Sequence, residues 1–384
     1  MSWSVRGSLG GCALPTAAAV ALLLPAGGVA ATRTTNAAVQ RGLQRLVAAS
    51  GGPVGAIATL YRNGRTTVLR AGRADAARPG APGLGDHMRI ASIAKAFSGA
   101  VALHLVQEGR LGLDDTIGQR LPAMMPAAWS AVTVREMLNH TSGLPDYTKS
   151  DGFREQAMTN PRGYVSPTKI IDWVRRDHLV FTPSSRYEYS NTDNIVVGLI
   201  AQRVTGQSYG HLLSTLVFRP AGLTQTTFPT QRISLPAPFI HGYDVEPGKQ
   251  PQDVTTLLSP SGAWASGAIV STPADLGAFI RADLEGRFFG KAQRREQLRF
   301  VPGSSSPAGP GTNSAGLAIF RYKTRCGTVY GHTGNFPGYV QWAAATADGR
   351  RSVTTSLNIA APAGALLRQM RSVQASAVCA LLGK

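Results

Sequence analysis

The sequence predicts an α/β fold of the α+β kind, with one antiparallel sheet flanked by helices and an inserted all-helical region. Three observations carry this reading. Strand signals cluster at both ends of the 384-residue chain, the stretch between them reads as helix, and a helix closes the chain. Strands at both ends of a helical middle imply a sheet assembled from distant segments.

Residues 1–31 read as a secretory leader. One charge, Arg6, precedes an apolar run from Ala13 to Leu24, and small residues around Ala30 and Ala31 offer a cleavage site. The run falls short of the ~20 residues that span a bilayer, so an exported protein with no transmembrane segment is expected. Residues 32–384 then form one domain, its sheet part drawn from 34–94 and 229–384 and its helical region from 95–228. Over 34–49, Val39, Leu43, Leu46 and Val47 make a helical stripe that Gly51-Gly52-Pro53 ends. Residues 54–61 and 66–71 flank Asn63-Gly64, a hairpin signal. Residues 315–323, 327–330, 339–345 and 352–358 read as strands, with Asp348-Gly349 turning the last two, and 363–382 as the closing helix.

The 39 Lys and Arg against 21 Asp and Glu leave a formal charge of +18, which first suggests an anionic partner. The basic residues form only doublets such as Arg175-Arg176 and Arg350-Arg351, with no interleaved aromatics, so no nucleic acid is expected. For an exported protein the matching anion is a cell-wall polymer. The seven histidines show neither His-x-His nor His-Glu-x-x-His spacing, so neither a metal nor another cofactor is called for. In an oxidising compartment Cys326 and Cys379 are expected to pair, worth about 4 kcal/mol in the chain-entropy model.

Chemistry enters at Ser92-Ile93-Ala94-Lys95, which opens a long apolar segment. On a helix, positions i and i+3 share a face, so the amine can approach the hydroxyl; the helix N-terminus favours a deprotonated lysine and offers N–H groups to an oxyanion. With only seven lysines in the chain the pairing is informative. A second tetrad, Ser166 to Lys169, reads as a helix start with Pro167 at the first position. Gly206-Gln207-Ser208-Tyr209-Gly210 matches the elbow of α/β-hydrolases, with Asp275 and His332 following, but the residues before it read more naturally as helix than as the strand an elbow needs. Thr272-Pro273-Ala274-Asp275 reads as a capping box.

Tyr189-Ser190-Asn191 and His332-Thr333-Gly334 complete a set with Ser92 and Lys95. With residues 137–144 and 267–272, this set resembles the serine β-lactamase and penicillin-binding superfamily, in the branch of class C β-lactamases and secreted D-alanyl-D-alanine carboxypeptidases. The resemblance implies a β-lactamase-like fold and acyl transfer through Ser92, with Lys95, Tyr189 or both taking its proton and Tyr189, its pKa lowered by the lysine, serving the leaving amine. It also implies that Asn191 binds a substrate amide and orients Lys95, that the strand with His332, Thr333 and Gly334 pairs with substrate, and that the N–H groups of Ser92 and Asn335 form the oxyanion hole. Trp264 is a candidate cleft residue, and His140 a structural one whose ring bonds backbone. Histidine in place of the usual lysine at 332 favours a D-alanyl-D-alanine carboxypeptidase acting on peptidoglycan peptides and acylated by penicillins and other β-lactams. Arg321 would then hold the substrate carboxylate, provided that it and not Phe320 faces the cleft. An esterase of the same fold, a class C-like β-lactamase, a non-catalytic penicillin or cell-wall binder, and a hydrolase using Ser208 are the alternatives.

Overall fold

The computed structural model describes residues 1–4 and 26–384, the side chains of 26–33 apart; the apolar run of the expected leader lies outside the described residues. A helix, α1 (Ala26–Ala48), leads into β1 (Gly55–Arg62) and β2 (Arg65–Gly72). Asn63 and Gly64 take φ of 51° and 74°, the doubly positive pattern of a two-residue hairpin turn. The remaining strands come from the far end: β3 (Thr312–Ala315), β4 (Phe320–Thr324), β5 (Gly327–Phe336), β6 (Tyr339–Ala345) and β7 (Ser352–Leu357). They join the hairpin in one seven-stranded antiparallel sheet of order β2-β1-β7-β6-β5-β4-β3.

One difference from expectation has a clear cause. The apolar stretch 315–323 is two strands, broken at Gly316–Ile319, where Ala318 has φ of 56°. Its backbone is satisfied by distant carbonyls, Leu317 N–H donating to Gln297 and Ala318 N–H to Leu138. A buried turn with tertiary partners is as apolar as a buried strand, and periodicity does not separate them.

The sheet divides two cores. Ala56, Ala58, Leu60, Trp342 and Ala344 face α1 and the closing helix α5 (Gly364–Leu382), whereas Ile57, Ala343 and Ala345 belong to the core under the helical region. The alternation follows the two-residue period of a strand. Cys326, in the turn before β5, is disulfide-bonded to Cys379 on α5 with Cα atoms 5.0 Å apart. Between them the helical elements α2 (Ala94–Gln107), α3 (Asn191–Thr205) and α4 (Pro273–Glu285) build the other layer. Helix α2 is buried from Ala94 through Leu103 and at Leu105, the pattern of a helix enclosed on every side. No helix among the described residues is long and apolar enough to cross a membrane.

Candidate active site

Ser92 sits in a single 3₁₀ turn, Ala91–Ile93, that runs directly into α2, so Lys95 is the second residue of the central helix. The approach to this turn is tight. Ala91 takes φ of 51°, and β5 passes so close that a Cβ on Gly334 would lie 2.3 Å from the Ile90 carbonyl oxygen and 3.2 Å from Ser92 N. Only glycine permits this contact, and it sets Thr333, Gly334 and Asn335 beside Ser92 in one cavity wall.

Lys95 is fully buried, and its Nζ has three close neighbours: Ser92 Oγ at 3.0 Å, Asn191 Oδ1 at 2.8 Å and the Ser266 carbonyl oxygen at 2.9 Å. Burial pushes its pKa down to about 7, against the opposing influence of Asp146 and Asp193. Nζ also lies 5.0 Å from the centre of the Tyr189 ring. Burial holds the Tyr189 phenol well above its ordinary value, and the Ser92 hydroxyl pulls less strongly the other way. This reverses the lowered phenol expected from the sequence: desolvation outweighs the Ser92 hydroxyl, so Tyr189 is a neutral phenol at rest.

His332 lies on β5 and is fully buried. Its Nδ1 donates to the Thr333 carbonyl at 2.5 Å, while Nε2 has no partner. Burial, then the charge of Lys95, push it down to about 3, so it is a neutral imidazole at any working pH. Phe320 packs edge-on against this ring, with centroids 5.1 Å apart. Arg321 is held elsewhere: its guanidinium lies 4.4 Å over the Phe300 ring and donates to Ser314 Oγ. Arg321 is not brought to the cavity. Neither is Trp264, whose ring packs on Tyr209 and over Gly198 of α3, where a Cβ would be 2.7 Å from it; its neighbours Ala263, Ser266 and Gly267 line the cavity instead.

The cavity measures about 450 Å³. Ser92, Tyr189, Asn191, Thr333 and Asn335 lie along it, and its far part is walled by Phe153, Trp173 and Val165 with Tyr147 between. Phe153 and Trp173 meet edge to face at 5.9 Å, and each also touches the Tyr147 ring. Among the described residues that line it there is no Asp, Glu, Lys, Arg or His. These aromatic residues escaped the sequence reading because they come from short segments without periodicity; Gly152, whose Cβ would strike Trp173 at 2.3 Å, is the one local sign.

Beneath the cavity His140, at φ of 61°, bonds Asp193 at 2.7 Å, with the Ser190 backbone N–H at 3.5 Å from the same ring nitrogen as its backbone neighbour, and Ser142 donates to the same carboxylate. The decoys resolve as caps. Ser208 accepts from His211 N–H, behind a helix that ends at Gly206 with φ of 69°, so no strand precedes it. Ser166 caps the helix Pro167–Asp172. Thr272 caps α4, but the Asp275 carboxylate bonds Gln225 N–H and Thr226 rather than closing a capping box.

A helix-borne Ser-Lys pair facing a tyrosine and an asparagine, with a glycine-bearing strand alongside, is matched by a family model described as Beta-lactamase over residues 36–375. The chain belongs to this family. It is a serine hydrolase with the β-lactamase-like fold expected from the sequence. Among solved structures it is similar to a D-stereospecific amidohydrolase from Streptomyces sp., at 31% identity and TM-score 0.76, covering 85% of this chain and 94% of that one. It is also similar to the D-amino acid amidase of Ochrobactrum anthropi SV3 complexed with L-phenylalanine amide, at 26% identity and TM-score 0.77, covering 91% and 98%. Penicillin-binding protein 4* of Bacillus subtilis (strain 168) is 26% identical over 65% of this chain and 56% of its own length. Protein flp of Staphylococcus aureus (strain N315) is 34% identical over 36% of this chain and 27% of its own length. The chain thus spans about half, or less, of the curated relatives it matches.

Proposed function

We propose that the protein hydrolyses amides or esters of D-amino acids with a bulky apolar side chain, through an acyl ester on Ser92. The observation that carries this reading is the uncharged cavity with an aromatic far wall. Neutral Lys95 takes the Ser92 proton as Oγ attacks the substrate carbonyl. Tyr189 gives its phenolic proton to the departing amine or alcohol and regains one from the Lys95 ammonium. Water then attacks the ester and restores Ser92. The N–H groups of Ser92 and Asn335 receive the oxyanion, and Thr333 lines the path of the acyl group. The amidase names of the structural relatives support the D-configuration and the amide bond.

A D-alanyl-D-alanine carboxypeptidase is the finer reading that the sequence favoured. It needs a cation for the substrate's free carboxylate, and neither neutral His332 nor Arg321, stacked on Phe300 away from the cavity wall, supplies one. A β-lactam carries a carboxylate too, so the class C-like β-lactamase is disfavoured on the same ground. The esterase alternative merges with the proposed activity, since both pass through the same acyl-serine. The disulfide and the leader expected over residues 1–31 support an exported protein, for which the basic surface suits an anionic wall polymer.

The test is a substrate panel of D-phenylalanine amide, its methyl ester, D-alanine amide and a peptide ending in D-Ala-D-Ala. The amide and ester of D-phenylalanine are expected to exceed the peptide in kcat/KM by about tenfold or more. Phe153→Ala should raise KM for D-phenylalanine amide about tenfold and leave D-alanine amide nearly unchanged, the scale of a lost apolar contact. Preference for the D-Ala-D-Ala peptide would reverse the choice between the two readings.

A further inference from the structure

Asp146 was assigned no role by the sequence, yet it stands one bond beyond the site. Its Oδ1 and Oδ2 lie 3.2 and 3.1 Å from Asn191 Nδ2. The same residue caps the short turn Tyr147–Lys149, where Oδ1 accepts from Thr148 N–H at 3.1 Å and from its hydroxyl at 3.0 Å. The cap uses Oδ1 alone; the contact of Oδ2 is with Asn191.

A carboxylate only accepts hydrogen bonds, so it dictates which end of the Asn191 amide faces it. The NH₂ group must point to Asp146, and the carbonyl oxygen must therefore point to Lys95, where Oδ1 lies 2.8 Å from Nζ. The second neighbour of Nζ, the Ser266 carbonyl, is likewise an acceptor. A neutral lysine has two N–H bonds and one lone pair. With both N–H groups drawn to fixed acceptors, the lone pair is left for the third neighbour, the Ser92 hydroxyl. Were the Asn191 amide turned over, its NH₂ would compete with Ser92 for that lone pair and would face the ammonium in the protonated state.

We propose that Asp146 is a positioning residue that locks the Asn191 amide and thereby aims the Lys95 lone pair at Ser92. The inference rests on the Ser92–Lys95 chemistry proposed above and adds the group that orients it. Asp146 also supports the cationic form of Lys95; Asp193 does so only in its ionised form, which burial disfavours by raising its carboxyl well above the ordinary range, and the other groups around the amine, Tyr189, His140 and His332, are neutral at rest.

Three variants of the full chain separate orientation from capping and from charge, each read as kcat, KM and the pH dependence of kcat/KM on D-phenylalanine amide. Asp146→Ser keeps a good cap and removes both the charge and Oδ2. It is expected to lower kcat about tenfold with KM nearly unchanged, and to move the acid limb to lower pH, because Lys95 loses a neighbouring anion. Asp146→Asn keeps size but sets an NH₂ against an NH₂, so the Asn191 amide must turn or the cap must break. Its loss of kcat is expected to exceed that of Asp146→Ser by several-fold, although it is the more conservative change in shape. Asp146→Glu, with the carboxylate retained, is expected to recover part of kcat and the original limb.

Wild-type kcat and an unmoved limb in both Ser and Asn variants would leave Asp146 as a cap and overturn the proposal. Equal losses in the two would show that charge alone acts and overturn the orienting role. Ser92→Ala run alongside keeps the two levels apart. Retained turnover there defeats the underlying chemistry, whereas its loss beside indifferent Asp146 variants defeats only the inference.

Discussion

The two faces of the sheet differ in what they bury beside their apolar side chains. Against α1 and α5 the strands bury alanine, valine, leucine and tryptophan, and a disulfide ties the turn before β5 to α5. On the helical side the protein buries Lys95, His140, Asp193 and His332, each almost or wholly removed from solvent. Burying apolar surface stabilises the fold, whereas each buried ionisable group costs free energy unless it is neutral or well bonded. The first face holds the sheet together. The second uses desolvation to bring a lysine to about 7, a histidine to about 3 and a tyrosine well above its usual range. Both faces carry an apolar core, and the contrast shows which of them also carries reactivity.

Ser92→Ala is the largest perturbation of the reactive face, expected to lower kcat by about 10⁴-fold or more, as for other acyl-transfer nucleophiles. The fold should persist, because Ser92 contributes one small side chain beside the cavity. Mass spectrometry after incubation with an activated ester should find no adduct on this variant and one on the wild type; an adduct elsewhere breaks the contrast between the faces at its centre.

The next effect is in pH. Attack requires neutral Lys95, so kcat/KM should be low on the acid side and rise tenfold per pH unit up to about pH 7, then level. Neither His332, pushed down to about 3, nor Tyr189, held well above its ordinary value, titrates within that limb. A rate profile flat from pH 5 to 8 would show that Lys95 is not the group whose proton is lost.

The smallest effect on activity is expected from the stabilising face. Replacing Cys326 and Cys379 together by serine should lower unfolding free energy by about 4 kcal/mol in the chain-entropy model, measured by denaturant titration. Under conditions where the variant stays folded, kcat should change by less than about twofold. A larger fall in kcat would mean that the two faces are coupled through β5, which follows Cys326 directly and places Thr333 in the cavity wall.

Much of the architecture, and the grouping of Ser92 and Lys95 at the centre of the candidate site, is legible in the sequence. Asn63-Gly64 determined a hairpin because two consecutive positive φ angles suit those residues, and the three-residue spacing of Ser92 and Lys95 determined a shared helix face. Local geometry decides both. Tertiary structure alone decided the rest. The apolar run 315–323 became two strands because Leu138 and Gln297 supply carbonyls from elsewhere. Arg321 stays off the cavity because its guanidinium stacks on Phe300 and bonds Ser314, partners that no local pattern determines. The direction of the Tyr189 shift depended on how much water the fold excludes, and the part of Asp146 on an amide 45 positions away. Sequence fixes what adjacent residues can do to one another; burial, strand register and partners from distant segments exist only once the chain has closed on itself.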